Sequence, residues 1–198
     1  MRCLLIGPAV LACAATLACN SSGGGRGDGG VITPPPGPIP VFQCSDSLAA
    51  PDTVVLQCGE RISASTWRIN VVIGVPTTST DINGFDFDVV FDPLLLAYVP
   101  GSAQPGVLLS QGGGTVLFAA ATSPGDPGRL VVGIHKAGAT GVQGTQYLDV
   151  ILAFQLTSQT AASFPPQVLR LENFRASDSS DVTIQGIIAI DQLFLSLQ

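Results

Sequence analysis

Hydrophobic and polar residues alternate with a period of two along most of this chain, and this pattern constrains the fold more than any other sequence feature. It is clearest in residues 84–93, GFDFDVVFDP, where Phe85, Phe87, Val89 and Phe91 fall on one side of an extended strand. Beyond the N-terminal part of the chain, no segment has the period of about 3.6 residues that marks an amphipathic helix. The aromatic side of this strand is therefore predicted to be core, and the fold to be all-β.

Short runs of the same kind recur along the chain, separated by turn residues such as Asp92-Pro93 and Pro100-Gly101. The predicted strands are residues 53–57, 67–75, 85–91, 95–99, 107–110, 115–120, 129–135, 147–156, 167–174 and 182–190, with a further short strand at 193–197. About nine strands at hairpin spacing predict an antiparallel two-sheet β-sandwich of the jelly-roll kind.

The N-terminal residues 1–19 have one basic residue followed by a short apolar run that ends in Leu17-Ala18-Cys19. This pattern is typical of a signal peptide and is too short for a membrane-spanning helix. The cleavage region resembles the bacterial lipobox, which implies that Cys19 becomes the lipidated first residue, although Thr16 stands where leucine is usual. Cys13 as the lipidated residue and a plain secretory signal are the alternatives. The chain is therefore predicted to be exported and lipid-anchored at the bacterial cell envelope.

A low-complexity linker, rich in Gly and Ser and then in Pro, is predicted at residues 20–41, with the β-sandwich domain at 42–198. If Cys19 is acylated, Cys44 and Cys58 are the cysteines that remain after the signal is removed. In an exported chain such a pair is most simply a disulfide, and neither a C-x-x-C motif nor a nearby histidine supports metal or redox chemistry.

The charge pattern and the single histidine exclude several functions. With a formal net charge of −6 and no cluster of Lys or Arg, the chain lacks the basic surface that nucleic acids require. His135 is the only histidine, so no histidine cluster can bind a metal, and it is predicted at an exposed strand end. No catalytic site and no cofactor are predicted. Calcium at Asp81, Asn83, Asp178 or Asp181 is left open, although these residues depart from the EF-hand pattern.

Asp86 and Asp88 alternate with the aromatic residues and are predicted to face solvent or a partner on the opposite side of their strand. As an acid and base pair they would need a cleft that raises one pKa, and nothing in the sequence indicates one. Direct sugar binding needs exposed aromatic rings. Trp67 and Tyr147 are the candidates for a carbohydrate-binding site, which is an alternative function for the same domain.

The order and spacing of several segments resemble the cohesin family, the sandwich modules that hold dockerin-bearing enzymes on cellulosome scaffolds, within the superfamily of carbohydrate-binding modules. The segments are residues 67–73 (WRINVVI), 84–96 (GFDFDVVFDPLLL), 128–134 (GRLVVGI), 147–154 (YLDVILAF) and 168–171 (VLRL), followed by Asp181-Val182. The resemblance covers residues 53–192. It implies a non-catalytic module that docks a protein partner, such as a dockerin-like protein.

In cohesins of the first type, an Asn and an Asp on the exposed face of this strand contact the dockerin. The resemblance places Asp86 at the position of that Asp, whereas Gly84 occupies the position of the Asn. The usual mode of dockerin binding is therefore incomplete in this sequence. A polysaccharide-binding module of the same superfamily and a structural envelope lipoprotein without a specific ligand are the alternatives.

Overall fold

The computed structural model describes residues 40–43, 49–138, 140–142, 150–157, 169–190 and 193–197. The strands of this part of the chain are β1 (Pro40–Gln43), β2 (Thr53–Arg61), β3 (Thr66–Ile73), β4 (Gly84–Phe91), β5 (Leu96–Tyr98), β6 (Thr115–Ser123), β7 (Asp126–Ala137), β8 (Val150–Leu156), β9 (Leu169–Ser177), β10 (Ile188–Ile190) and β11 (Phe194–Leu197). In the described part of the chain, no helix is long and apolar enough to cross a membrane.

Nine of these strands form two sheets. One sheet has five strands in the order β10-β2-β3-β8-β5, and the other has four in the order β6-β7-β4-β9. Neighbouring strands are antiparallel except for β10, which runs parallel to β2. A separate two-stranded sheet pairs β1 with β11. The predicted all-β sandwich of about nine strands is therefore confirmed.

The core lies between the two sheets because each strand turns its apolar side chains inward. On β4 the aromatic residues predicted as core are buried, with Phe85 and Phe87 no more than 1% exposed. Phe91 of β4 packs edge-to-face on Phe154 of β8, with ring centroids 5.2 Å apart, and so joins the two sheets. This packing leaves the other side of β4 facing outward.

One predicted strand is wrong in the structure, and another is correct only at its C-terminal end. Residues 107–110 form a turn in which Leu108 and Leu109 are both fully buried, which a strand with alternating faces would not allow. Within 182–190 only Ile188–Ile190 forms a strand. Before it lies Gly186 with a φ of 99°, a left-handed conformation that turns the chain. β1 also begins at Pro40, two residues before the predicted domain boundary.

Candidate functional site

The outward face of the four-stranded sheet carries both of the acidic residues that the sequence analysis selected. Asp86 and Asp88 point outward from β4, one of the two central strands. The neighbouring strand β7 places Gly133 opposite Asp86 and Val131 opposite Asp88. This face is therefore the candidate functional site. It has a charged half around β4 and β9, to which the two ends of β7 contribute Arg129 and His135, and an apolar half at β6 and the middle of β7.

A β-bulge in β9 shapes the charged half. Asp86 lies opposite Arg175 and Asp88 opposite Glu172, so two residues of β9 face the single Phe87 between them. One of these is Asn173, whose φ of 52° is left-handed. Without the extra residue, Glu172 and Arg175 would point to opposite faces of the sheet. The bulge thus brings both of them to the outward face.

Arg129 of β7 holds the first cluster of charges together. Its guanidinium donates to Asp88 Oδ2 at 2.7 Å and to Glu172 Oε2 at 2.9 Å, and it is 3.3 Å from Asp126 Oδ2. Asn173 Nδ2 also donates to Asp88 Oδ2, at 2.6 Å. These carboxylates, with Asp88 the largest contributor, raise the pKa of Arg129 above its usual value. The guanidinium is therefore fixed in its charged form.

The prediction that both aspartates face solvent is wrong for Asp88, which is only 8% exposed. Its burial follows from the guanidinium and the amide that cover its carboxylate, and neither contact could be read from the alternation of β4. Asp86 does remain accessible, with 42% of its side chain exposed.

Asp86 is the centre of a second cluster, which includes the single histidine. His135 Nε2 lies 2.9 Å from Asp86 Oδ1, and Arg175 Nη1 lies 3.6 Å from Asp86 Oδ2. Arg175 also donates to the Asp181 carboxylate at 2.6 Å. His135 is predicted at an exposed strand end, but in the structure its ring is partly buried beside Asp86. Asp86 therefore has a cationic arginine and an imidazole on either side.

Gly84 makes room for the imidazole. The two residues are paired across β4 and β7, and a Cβ added at Gly84 would fall 2.0 Å from His135 Nδ1. The space next to the Gly84 backbone is thus filled by the ring of His135, contributed by the neighbouring strand. The departure at Gly84 has a physical reason, because any side chain there would displace the histidine.

This arrangement offers little for nucleophilic catalysis. In the described part of the chain, no hydroxyl or thiol is hydrogen-bonded to His135, so its contact with Asp86 is not extended to a nucleophile. Among the same residues, no group of three or more His, Cys, Asp or Glu could hold a metal ion. What the face can do chemically is present paired charges and apolar surface to another molecule.

The apolar half of the face is made by β6 and β7. Leu117 and Val131 are 58% and 47% exposed, and the small residues Ala119, Ala121 and Gly133 lie between them. Together with the carboxylates of β4, the small residues line a shallow depression of about 460 Å³. This patch was not predicted from the sequence, although the alternation of exposed and half-buried residues along β6 is its signal. Apolar area of this kind beside paired charges is typical of a protein-binding surface.

The residues proposed for sugar binding do not form an exposed platform in the described structure. Trp67 is 3% exposed and points into the core from β3, with the guanidinium of Arg61 5.3 Å from the centre of its ring. Its proposed role in sugar binding is therefore wrong, because a buried indole cannot stack on a sugar. Tyr147 lies outside the described residues.

Of the three cysteines with predicted roles, only Cys58 lies in the described structure, and it is part of a disulfide. Cys44 and Cys19 lie outside the described residues. The pairing of Cys44 with Cys58 and the lipidation of Cys19 stay predictions.

Asp81, one of the residues considered for calcium, instead joins two loops. Its carboxylate accepts hydrogen bonds from the Ser179 hydroxyl at 2.6 Å and from the Gly141 N–H at 2.6 Å. These bonds, the one from the Ser179 hydroxyl above all, lower the pKa of Asp81 below its usual 3.8. Asp81 therefore acts as an acceptor for backbone and hydroxyl donors.

Because the pKa of Asp81 is lowered in the folded state, its stabilising effect is complete above the unfolded pKa and is lost as the pH falls through the folded pKa. We expect Asp81→Asn to have a lower free energy of unfolding than the wild type at pH 7, and the difference to shrink as the pH falls below 3.8 and through the lowered pKa of the folded state. Urea denaturation of both proteins at a series of pH values, from neutral to acid, measures this difference in the free energy of unfolding. Glu60→Gln, at an exposed carboxylate on β2, is the control. A difference that stays constant with pH would contradict the prediction.

No protein-family model and no curated protein matches the sequence. Solved structures that match include a type II cohesin from Bacteroides cellulosolvens, with a TM-score of 0.55 and 13% identity, covering 73% of this chain and 97% of the cohesin. A non-cellulosomal cohesin from the archaeon Archaeoglobus fulgidus has a TM-score of 0.50 and 14% identity, over 72% and 88% of the two chains. The sixth cohesin of scaffoldin B from Acetivibrio cellulolyticus, in complex with a mutant dockerin, has a TM-score of 0.52 and 18% identity, over 71% and 95%. The domain is therefore cohesin-like in its fold, as predicted.

Proposed function

We propose that this protein is a non-catalytic docking module that binds a protein partner through the outward face of the β6-β7-β4-β9 sheet. The observation that carries the proposal is the exposed apolar patch of Leu117 and Val131 on the same sheet face as the accessible carboxylate of Asp86. Such a combination of an apolar centre and a polar margin is how protein interfaces are built.

The charges of the face suggest how the partner is recognised. Asp88 and Glu172 are both paired with Arg129, and Asp86 is flanked by Arg175. Since these groups are already paired, binding would draw its energy mainly from the apolar patch, and the remaining exposure of Asp86 would provide specificity. A dockerin-like protein fits this proposal, because a dockerin is bound to one of the cohesins with the same fold.

We also propose where the module acts, namely at the bacterial cell envelope. Export, lipidation at Cys19 and display at the cell envelope rest on the N-terminal sequence alone. A lipid-anchored docking module of this kind would hold its partner at the envelope surface. A structural lipoprotein without a partner is the competing outcome in the experiment that follows.

The test compares two substitutions of exposed aliphatic residues. We expect Val131→Lys to abolish capture of the partner from a lysate of the source organism, because it places a charge in the apolar patch. Ile62→Lys, at a residue 50% exposed and outside this sheet, should leave capture unchanged. With the captured protein produced as a pure probe, calorimetry should show about a tenfold or greater loss of affinity for Val131→Lys and for Asp86→Arg.

Capture that survives both Val131→Lys and Asp86→Arg would contradict the assignment of this face. Failure of the wild-type protein to capture any protein would favour the structural lipoprotein. Thermal unfolding of each variant shows whether a lost interaction reflects the surface or a loss of folding.

A further inference from the structure

The strand β6 forms one edge of the four-stranded sheet, and its outer side has no partner in the described structure. All nine of its residues, Thr115–Ser123, run beside β7, and β7 is the only described strand with which β6 pairs. The backbone N–H and C=O groups that point away from β7 are therefore free to pair with another strand.

The sequence of β6 has none of the features that protect an exposed edge. TVLFAAATS contains no charged residue and no proline, and its pairing with β7 is regular up to the shift between Thr122 and Ser123. Natural sheets block their edges with charges, prolines, bulges or a covering segment. An uncharged, regular edge of this length is open to pairing.

The opposite edge of the same sheet shows the contrast. β9 carries Arg170, Glu172 and Arg175, and its bulge at Asn173 breaks the regular spacing of the strand. Both of its ends also pair outside the sheet, through isolated bridges from Leu169 to Leu193 and from Ser177 to Thr183. The β9 edge is therefore protected against pairing with a further strand, whereas the β6 edge is not.

We propose that two copies of this protein pair through their β6 strands, antiparallel about a twofold axis at Ala119, and so form a continuous sheet of eight strands. A twofold axis at this residue would place complementary side chains opposite each other on both faces of the strand. On the outward face Leu117 of one copy would lie opposite Ala121 of the other, and on the inward face Phe118 would lie opposite Ala120. Each large side chain thus meets a small one, as an isologous interface requires.

The partial burial of the β6 side chains is consistent with a second copy of the chain packing along this edge. Its inward side chains Val116, Phe118 and Ala120 pack against the core but are only half-buried, because no strand follows on their outer side. A second copy would cover this remaining apolar area. The strand is also neutral, so the pairing brings no like charges together along its length.

The experiment is sedimentation equilibrium of the full chain in density-matched detergent, at concentrations up to about 0.5 mM, where a weak dimer is populated. We expect the wild type to dimerise and Ala119→Lys to raise the dissociation constant by about tenfold or more, because two ammonium groups would meet at the axis. Ala64→Lys, the same change at an exposed alanine in the β2–β3 loop, should leave the dimer intact.

Mixing two charge variants tests the position of the axis. Ala119→Asp alone should be monomeric like Ala119→Lys, whereas an equal mixture of the two should form a heterodimer by pairing opposite charges at the axis. A monomeric wild type, loss of the dimer in Ala64→Lys, or a mixture that stays monomeric would each overturn the proposal. None of these results depends on partner capture through the outward face, so the two proposals fail independently.

Discussion

Replacing Phe87 by Ala is expected to lower the free energy of unfolding by about 3–5 kcal/mol. Phe87 is 1% exposed and packs in the core between the two outward-facing aspartates of β4. Truncation removes the buried ring and leaves a cavity that the surrounding strands cannot close, because both neighbours of β4 are fixed by ladders of hydrogen bonds. Urea or guanidinium denaturation at neutral pH measures the change.

Leu94→Ala is the matched control for this experiment, since Leu94 is 78% exposed and its truncation should change stability by no more than about 0.5 kcal/mol. A loss below about 1 kcal/mol for Phe87→Ala would show that the aromatic side of β4 is not the core of the fold. The expected loss of about 3–5 kcal/mol is 20% or more of the stability of a typical domain, which is about 5–15 kcal/mol.

A second large effect is expected at Gly84, where the structure leaves no room for a side chain beside His135. Gly84→Ala should destabilise the protein by about 1–3 kcal/mol and detach His135 from Asp86, because the new Cβ would overlap the imidazole. In a His135→Ala background the same substitution should cost almost nothing, since Gly84 does not have the positive φ that would strain an alanine.

The four proteins of this double-mutant cycle separate the two explanations of the glycine. Equal costs of Gly84→Ala with and without the imidazole would mean that the glycine serves the backbone and that its contact with His135 is incidental. A coupling energy of about 1 kcal/mol or more would show that the glycine and the histidine are maintained as a pair.

The strands were predictable from the sequence because their hydrophobic period is local. Residues 85–91 and 129–135 each alternate strongly, and the structure contains a strand at both places. Residues 107–110 were wrongly predicted as a strand, because Leu108 and Leu109 are adjacent apolar residues that a turn buries together. Local pattern therefore identifies strands but does not separate them from buried turns.

The contacts of the site depend on register, which the local pattern does not contain. Arg129 reaches Asp88 and Glu172 because β7 and β9 flank β4, and these residues are far apart in the sequence. The bulge at Asn173 had no clear signal, since Asn is common in loops as well as at positive φ. The outward direction of Asp86 was predictable, but its contact with His135 was not.

The parallel pairing of β10 with β2 has a consequence for the order of folding. β2 enters the five-stranded sheet between β3 and β10, so its second neighbour is supplied by Ile188–Ile190, near the other end of the domain. Contacts between such distant segments form slowly, because a long loop must close before the pairing is gained. The sheet stays incomplete until β10 has emerged, either from the ribosome or on the far side of a membrane. Until then the outer side of β2 is an unpaired edge that is open to chaperones or to another unfolded chain.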